Sequence, residues 1–395
     1  MRFAFARLSA SVLALTLVAS CASGPTEEER AEQARVAAEQ ARLAAIPNVS
    51  LNSNVIQEAA VYLAFTRDMG TLRGGFADAA SIQEALRRGA AYDARQVSRG
   101  LVAYASILAM QSPEFVAGVR ANATDRESRN ALVARIVADP ASAGRLPGAD
   151  VAAGLIIGTL ENDIRLLREA ADSVENDAYA IQADGRRDWA RVAVPEREAR
   201  LNTVRGLSRP SLAPAEEAAR LSAAVQSGSG LNVAAARPRT PPYPQSVENA
   251  LALAALALLD GAGENARSNT DALMYDRASL DCFESSKLNL FQCLAASRPS
   301  YEDMFCLGRH VVRDLGQCAR GAALPTGQIT VGAPTQSRAD TTPRITPRTL
   351  DAESPVVARE PEATPSSAAP AIVTPQTAVP TPTQRLNAQT QAPQS

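Results

Sequence analysis

The chain has 395 residues, with 40 basic and 42 acidic side chains, one histidine, one tryptophan and five cysteines. A net charge of −2 provides no basic field for nucleic acid. One histidine excludes every metal or catalytic arrangement that needs two, and 4% aromatic residues are too few for a sugar cleft lined with stacking rings. Lys287 is the only lysine; every other basic residue is arginine.

Residues 1–20 have the parts of a secretory signal peptide. Arg2 and Arg7 supply a positive start, Leu8 to Val18 is apolar apart from Ser9, Ser11 and Thr16, and small residues Ala19 and Ser20 follow. The apolar run is roughly a dozen residues, short of the roughly 20 that span a membrane. Val18-Ala19-Ser20-Cys21 resembles the lipobox of bacterial lipoprotein precursors, in which an aliphatic and two small residues precede a cysteine. The resemblance implies that Cys21 receives a diacylglycerol, that the signal is cut just before it, and that the new amino group is acylated. Two or three acyl chains anchor a protein durably where one does not. Ala22 stands where an aspartate would retain such a protein at the inner membrane, so the resemblance places it on the periplasmic face of the outer membrane.

The segment 21–47 is predicted to hold the lipidated Cys21 and a charged tether helix. Thr26 and Glu29 have the spacing of a capping box, and Pro47 ends the helix. Residues 48–225 form the expected main helical domain. Ile82, Leu86, Ala90, Val97, Leu101, Tyr104 and Leu108 mark one face of a single helix reaching Met110. Ser112-Pro113-Glu114 signals a fresh start, and another helix is expected from Asp125 to Ala138. The clearest periodicity lies between Val151 and Ala183, where Leu160, Ile164, Leu167, Ala171, Val174, Ala178 and Ile181 alternate spacings of four and three. Glu161–Arg165, Arg165–Glu169 and Arg168–Asp172 are expected to pair along its outer face. Gly154 and Gly158 offer a place for a neighbouring helix to approach.

Residues 226–246, with their prolines, glycines and serines, read as a linker or loop, in which Arg237, Arg239 and Tyr243 offer an extended docking segment. Residues 247–321 form a further helical segment, beginning with the buried apolar run Ala250 to Leu259. Twelve prolines between Pro325 and Pro393, separated mainly by Thr, Ala, Gln and Ser, predict a disordered tail over 322–395.

Cys282, Cys293, Cys306 and Cys318 remain after Cys21, and in an exported chain an even set reads as disulfides. A helix starting at Asn269-Thr270-Asp271 is expected to carry Cys282 and Cys293, which then lie about 16 Å apart along its axis and cannot pair. Pro299-Ser300 turns the chain, so an antiparallel hairpin with nested bridges Cys293–Cys306 and Cys282–Cys318 fits. The layout resembles the twin-cysteine hairpins with paired CX9C motifs, at different spacings. Cys318 falls about 120° away from the face of Cys306 on a regular helix, and the expectation is that Gly316 ends the helix and lets Cys318 turn inward. A zinc reading would add His310, but export favours oxidation.

No catalytic motif emerges. Glu284 stands where a Ser-x-x-Lys nucleophile would need serine before Lys287, and Gly228-Ser229-Gly230 lacks a dinucleotide-fold context. Carboxylate neighbours such as Glu161 with Asp163, or Glu302 with Asp303, read mostly as solvated surface. The expectation is an all-α protein: a helical bundle or array with a disulfide-stapled C-terminal hairpin and a Pro/Thr-rich tail. It would be lipid-anchored at the envelope, without enzymatic activity, cofactor, metal or nucleic-acid partner. It would act as a scaffold, assembly or stability factor for an envelope complex. The alternatives are a non-covalent peptidoglycan anchor, whose tail contacts the wall, and an envelope hydrolase using carboxylates that motifs do not reveal.

Overall fold

The computed structural model describes residues 26–44 and 49–324; the signal segment, Cys21 and the Pro/Thr-rich tail lie outside the described residues. Among the described residues the fold is all-α, with fifteen α-helices, no strand and two isolated bridges. α1 (Glu27–Ala44) opens with the expected capping box: Thr26 N–H donates to Glu29 Oε2 at 2.9 Å and Glu29 N–H to Thr26 Oγ1 at 3.2 Å. Its side chains are exposed through Val36. α2 (Ser53–Gly70) begins at Asn52, whose side chain accepts from Val55 N–H and donates to Ala262 O at 3.1 Å and Thr270 Oγ1 at 2.8 Å. The cap thereby ties the start of the body to a distant stretch of chain.

The single helix expected up to Met110 is two, α3 (Ala79–Ala90) and α4 (Ala94–Ala109). All seven stripe residues are buried. The break falls between Ala90 and Val97, a spacing of two full turns, so the periodicity passes through it undisturbed. Asp93 makes the break by capping α4 through Gln96 N–H at 2.8 Å. Gly100 lets α4 lie directly on α2, since a Cβ there would collide with the Glu58 carbonyl and the Tyr62 side chain.

α5 (Pro113–Ala121) and α6 (Arg126–Ala138) start at Ser112 and Asp125 as their cap signals require. α7 (Ala149–Ala183) is 35 residues long, about 50 Å at 1.5 Å per residue. Its seam residues are all buried, packed against α2, α4 and the C-terminal helices of the same chain. Of the three outer-face pairs, Arg165–Glu169 forms at 2.6 Å. Glu161 instead lies 3.9 Å from Arg239, and Asp172 pairs with Arg313 at 2.6 Å, because tertiary neighbours bring a competing guanidinium.

α8 (Asp188–Arg191), α9 (Arg197–Leu207) and α10 (Ala215–Ser227) are short. Residues after α10 form an extended strap laid along α7. Ala234 N–H donates to Thr159 Oγ1 at 3.1 Å, Arg239 N–H to Asp150 O at 2.9 Å, and the Tyr243 hydroxyl to Arg239 O at 2.8 Å. Gly154 and Gly158 admit this strap rather than a helix: a Cβ on Gly154 would overlap the Arg237 carbonyl, and one on Gly158 would meet the Ala234 Cβ at 3.3 Å.

α11 (Gln245–Leu258) carries the apolar run and is buried on every side from Asn249 to Leu258, against α4, α5, α6 and α7. α12 (Arg267–Leu273) is separate from α13 (Arg277–Ala296). The helix bearing Cys282 and Cys293 therefore starts at the cap Asp276, not at Asn269. Asp276 also accepts from Ser246 Oγ at 2.6 Å, joining α13 to α11.

α14 (Ser300–Leu307) leads through a π-turn, Gly308–Arg313, into α15 (Asp314–Ala323). The bridges are Cys282–Cys318 and Cys293–Cys306, with Cα atoms 5.6 and 5.7 Å apart. Gly316 does not end the helix. The π-turn resolves the phase instead, because an i→i+5 turn absorbs one extra residue, about 100° of rotation. The twelve residues from Cys306 to Cys318 then act as eleven, matching the eleven from Cys282 to Cys293 on the facing helix.

Candidate functional site

A concavity of about 600 Å³ lies between α3, α8, α9 and the start of α14. Its sequence origin is Trp189-Ala190-Arg191-Val192-Ala193-Val194-Pro195. α8 is held against α7: Arg187 pairs with Asp177 at 2.6 Å, Arg191 donates to Gln182 O at 3.1 Å, and Ala190 is fully buried. The chain then runs extended, since two β-branched valines favour it and Pro195 denies Val194 the helical region. Val194 N–H donates to Arg298 O at 2.8 Å, and Ala193 forms an antiparallel bridge with Pro299. Glu196 follows with φ 50° and ψ 45°, a left-handed conformation that costs a non-glycine residue roughly 1–2 kcal/mol. It reverses the chain into α9, so that Val204 and Thr203 face back towards Trp189 across the groove.

A buried polar cluster underlies this groove. Asp303 is fully buried and forms an ion pair with Arg200, whose side chain is 8% exposed. Gln83 Nε2 donates to Asp303 Oδ2 at 2.6 Å and Ser297 Oγ to Oδ1 at 2.6 Å, while Arg200 Nη2 reaches Leu294 O at 3.3 Å. Arg200 Nε is buried without a partner. Removing one side of such a pair leaves an uncompensated buried charge, at a cost of roughly 3–5 kcal/mol. The cluster thus locks α3, α9 and the hairpin turn into one wall.

A second cleft, about 430 Å³, is formed with the same turn and the Cys293–Cys306 bridge. Tyr179, 56% exposed, meets Phe305 edge-on at 5.7 Å.

The residues singled out from sequence fall as follows. Cys21 lies outside the described residues. The four remaining cysteines come together in the two bridges described above. His310 lies in the π-turn, 3.5 Å from Asp314 and partly exposed. Glu161 is exposed, but Asp163 and Asp303 are not the solvated carboxylates expected. Asp163 is half-buried, with Oδ2 occluded and unpartnered, and desolvation pushes its carboxyl up to about 6 against the pull of Arg67. Tyr243 is buried, with its hydroxyl donating to Arg239 O within the strap, whereas Arg237 and Arg239 are exposed. Sequence reading passed over Trp189, Glu196 and Arg200. The Val-Pro step after the lone tryptophan was the one available sign of an extended segment.

The chain matches no protein-family model, no curated protein and no solved structure.

Proposed function

We propose that the chain is a lipid-anchored envelope protein that holds an extended apolar segment of a partner protein in the Trp189 groove, as a scaffold or stability factor for that partner. The single observation that carries the reading is the groove itself. Trp189, Val192 and Val194 make it apolar, and the extended 192–195 segment at its edge is braced on one side by Arg298–Pro299. An extended backbone with apolar pockets beside it suits strand addition, in which main-chain hydrogen bonds supply affinity and alternate side chains fill the pockets. The left-handed Glu196 supports the same reading, since strain of this kind clusters at binding sites. Anchoring rests on Val18-Ala19-Ser20-Cys21, and an anchor confines the search for a partner to the membrane surface.

The test places a photo-cross-linking amino acid at Val192, 64% exposed in the groove, or at Leu212, 93% exposed elsewhere. Both would be made in the native envelope. Val192 is expected to yield one discrete cross-linked protein that Leu212 does not, and Trp189→Asp should abolish it. Equal patterns from both positions would reject the groove. Separately, Cys21→Ser should move the protein from the membrane fraction to the soluble one; unchanged membrane association would reject the anchor.

A further inference from the structure

Lys287 lies on α13 and is 7% exposed. Its Nζ donates to Ala90 O, at the C-terminal end of α3, at 2.8 Å and sits 3.3 Å from the centroid of the Tyr92 ring. Two contacts hold the amine in place and use one of its hydrogens. Burial pushes the amine down to about 7, with Asp93 acting against that shift. An ordinary lysine, with a pKa near 10.4, is almost wholly protonated at neutral pH, whereas this one carries a substantial unprotonated fraction.

The same side chain lines a cavity of about 470 Å³ between the start of α4, the end of α9 and α13. Exposed Arg95 and Arg205 also line it, from different helices. Neither has a carboxylate partner among the described residues; Arg205 rests over the Phe291 ring at 5.8 Å. Of the two acids at the cavity, Asp93 is engaged in capping α4 and Glu284 is exposed. The result is a largely buried amine and two arginines that form no ion pair among the described residues, all lining one solvent-open space.

We infer that this cavity is a carbonyl-condensation site for small 2-oxo carboxylates, with the carboxylate held by Arg95 and Arg205 and the carbonyl carbon presented to Lys287 Nζ. The Nζ lone pair adds to the carbonyl carbon and a proton moves from nitrogen to oxygen. The carbinolamine then loses water to leave a C=N bond. Two N–H hydrogens and the carbonyl oxygen depart as that water, no electron acceptor or donor is needed, and hydrolysis reverses the step. The arginine pair selects for the acid over neutral aldehydes, because a bidentate guanidinium–carboxylate contact holds the carbonyl near the amine.

The test uses the full chain with Cys21→Ser, glyoxylate as the probe, sodium cyanoborohydride as the imine trap and peptide mapping at pH 7.5. A carboxymethyl group is expected on Lys287, formed on the order of tenfold or more faster than on Nα-acetyl-lysine under the same conditions. Arg95→Glu with Arg205→Glu should slow labelling by glyoxylate severalfold and leave labelling by neutral glycolaldehyde unchanged. Lys287→Arg, which keeps a cationic donor for Ala90 O, should fold and take no label at position 287. Labelling of Lys287 no faster than acetyl-lysine would overturn the site. Equal slowing of glyoxylate and glycolaldehyde by the arginine changes would overturn the oxo-acid assignment.

Discussion

Asp303, fully buried, and Asp163, half-buried, are carboxylates with opposite surroundings. Asp303 has an arginine, an amide and a hydroxyl around it, whereas Asp163 keeps one oxygen without a partner and has its carboxyl pushed up by desolvation. The Asp163 carboxyl stands at about 6, above its ordinary 3.8. Between those pH values the folded chain retains a proton that the unfolded chain has released, so stability falls as pH rises through this window. The contribution is full below the unfolded value and lost above about 6. Asp163→Asn stays neutral throughout. It should match the parent at pH 3 and exceed it by about 1–2 kcal/mol at pH 7.5 in urea unfolding. A variant no more stable at pH 7.5 would show that the carboxylate is better solvated than its burial indicates. Neither aspartate was recognisable from chain neighbours, because helix position says which face a residue is on but not what is packed against that face.

The π-turn between α14 and α15 decides whether the outer disulfide can close. A π-turn behaves as a one-residue insertion in an α-helix. Deleting exposed Arg309 should therefore give a regular helix that still presents Cys318 to Cys282, and non-reducing peptide mapping should find both bridges. Inserting one alanine beside Arg309 adds about 100° of twist and carries Cys318 off the face. Cys293–Cys306 should persist there while Cys282 and Cys318 become free thiols. If the deletion also loses the outer bridge, the π-turn does not set the phase of Cys318. The spacing of the cysteines and the Pro299-Ser300 turn revealed the nested pairing. The device that aligns it was not legible, since Gly308-Arg309-His310-Val311-Val312-Arg313 carries no local mark of an i→i+5 turn. Gly308 makes sense only in three dimensions, where a Cβ would press on Glu175 at 2.9 Å.

The helices before and after the strap share one hydrophobic core. α11 supplies much of its centre and touches α4, α5, α6 and α7, all of them earlier in the chain. Without α11 those helices would expose the apolar faces they now bury, at roughly 25 cal/mol per Å². The body should consequently unfold as one unit. In urea, far-UV circular dichroism and the emission of Trp189, the chain's only tryptophan, should give coincident transitions. A chain ending at Val225 should lack the cooperative transition altogether. Two separated transitions in the full chain would mean that the strap divides two domains.

Local rules in the sequence determined the helical class, the starts of α1, α5, α6 and α14, the buried stripes and the cysteine pairing. Caps, periodicity and the reach of a disulfide all act over a few residues or along one helix axis. Tertiary structure alone decided that the Pro-rich segment is a strap on α7, that Asp303 and Arg200 meet under a groove, and that Lys287 is buried beside Tyr92 and two unpaired arginines. Each of these depends on which distant surfaces come together. Burial, and with it the charge state of a carboxylate or an amine, is a property of that meeting rather than of any one stretch of chain.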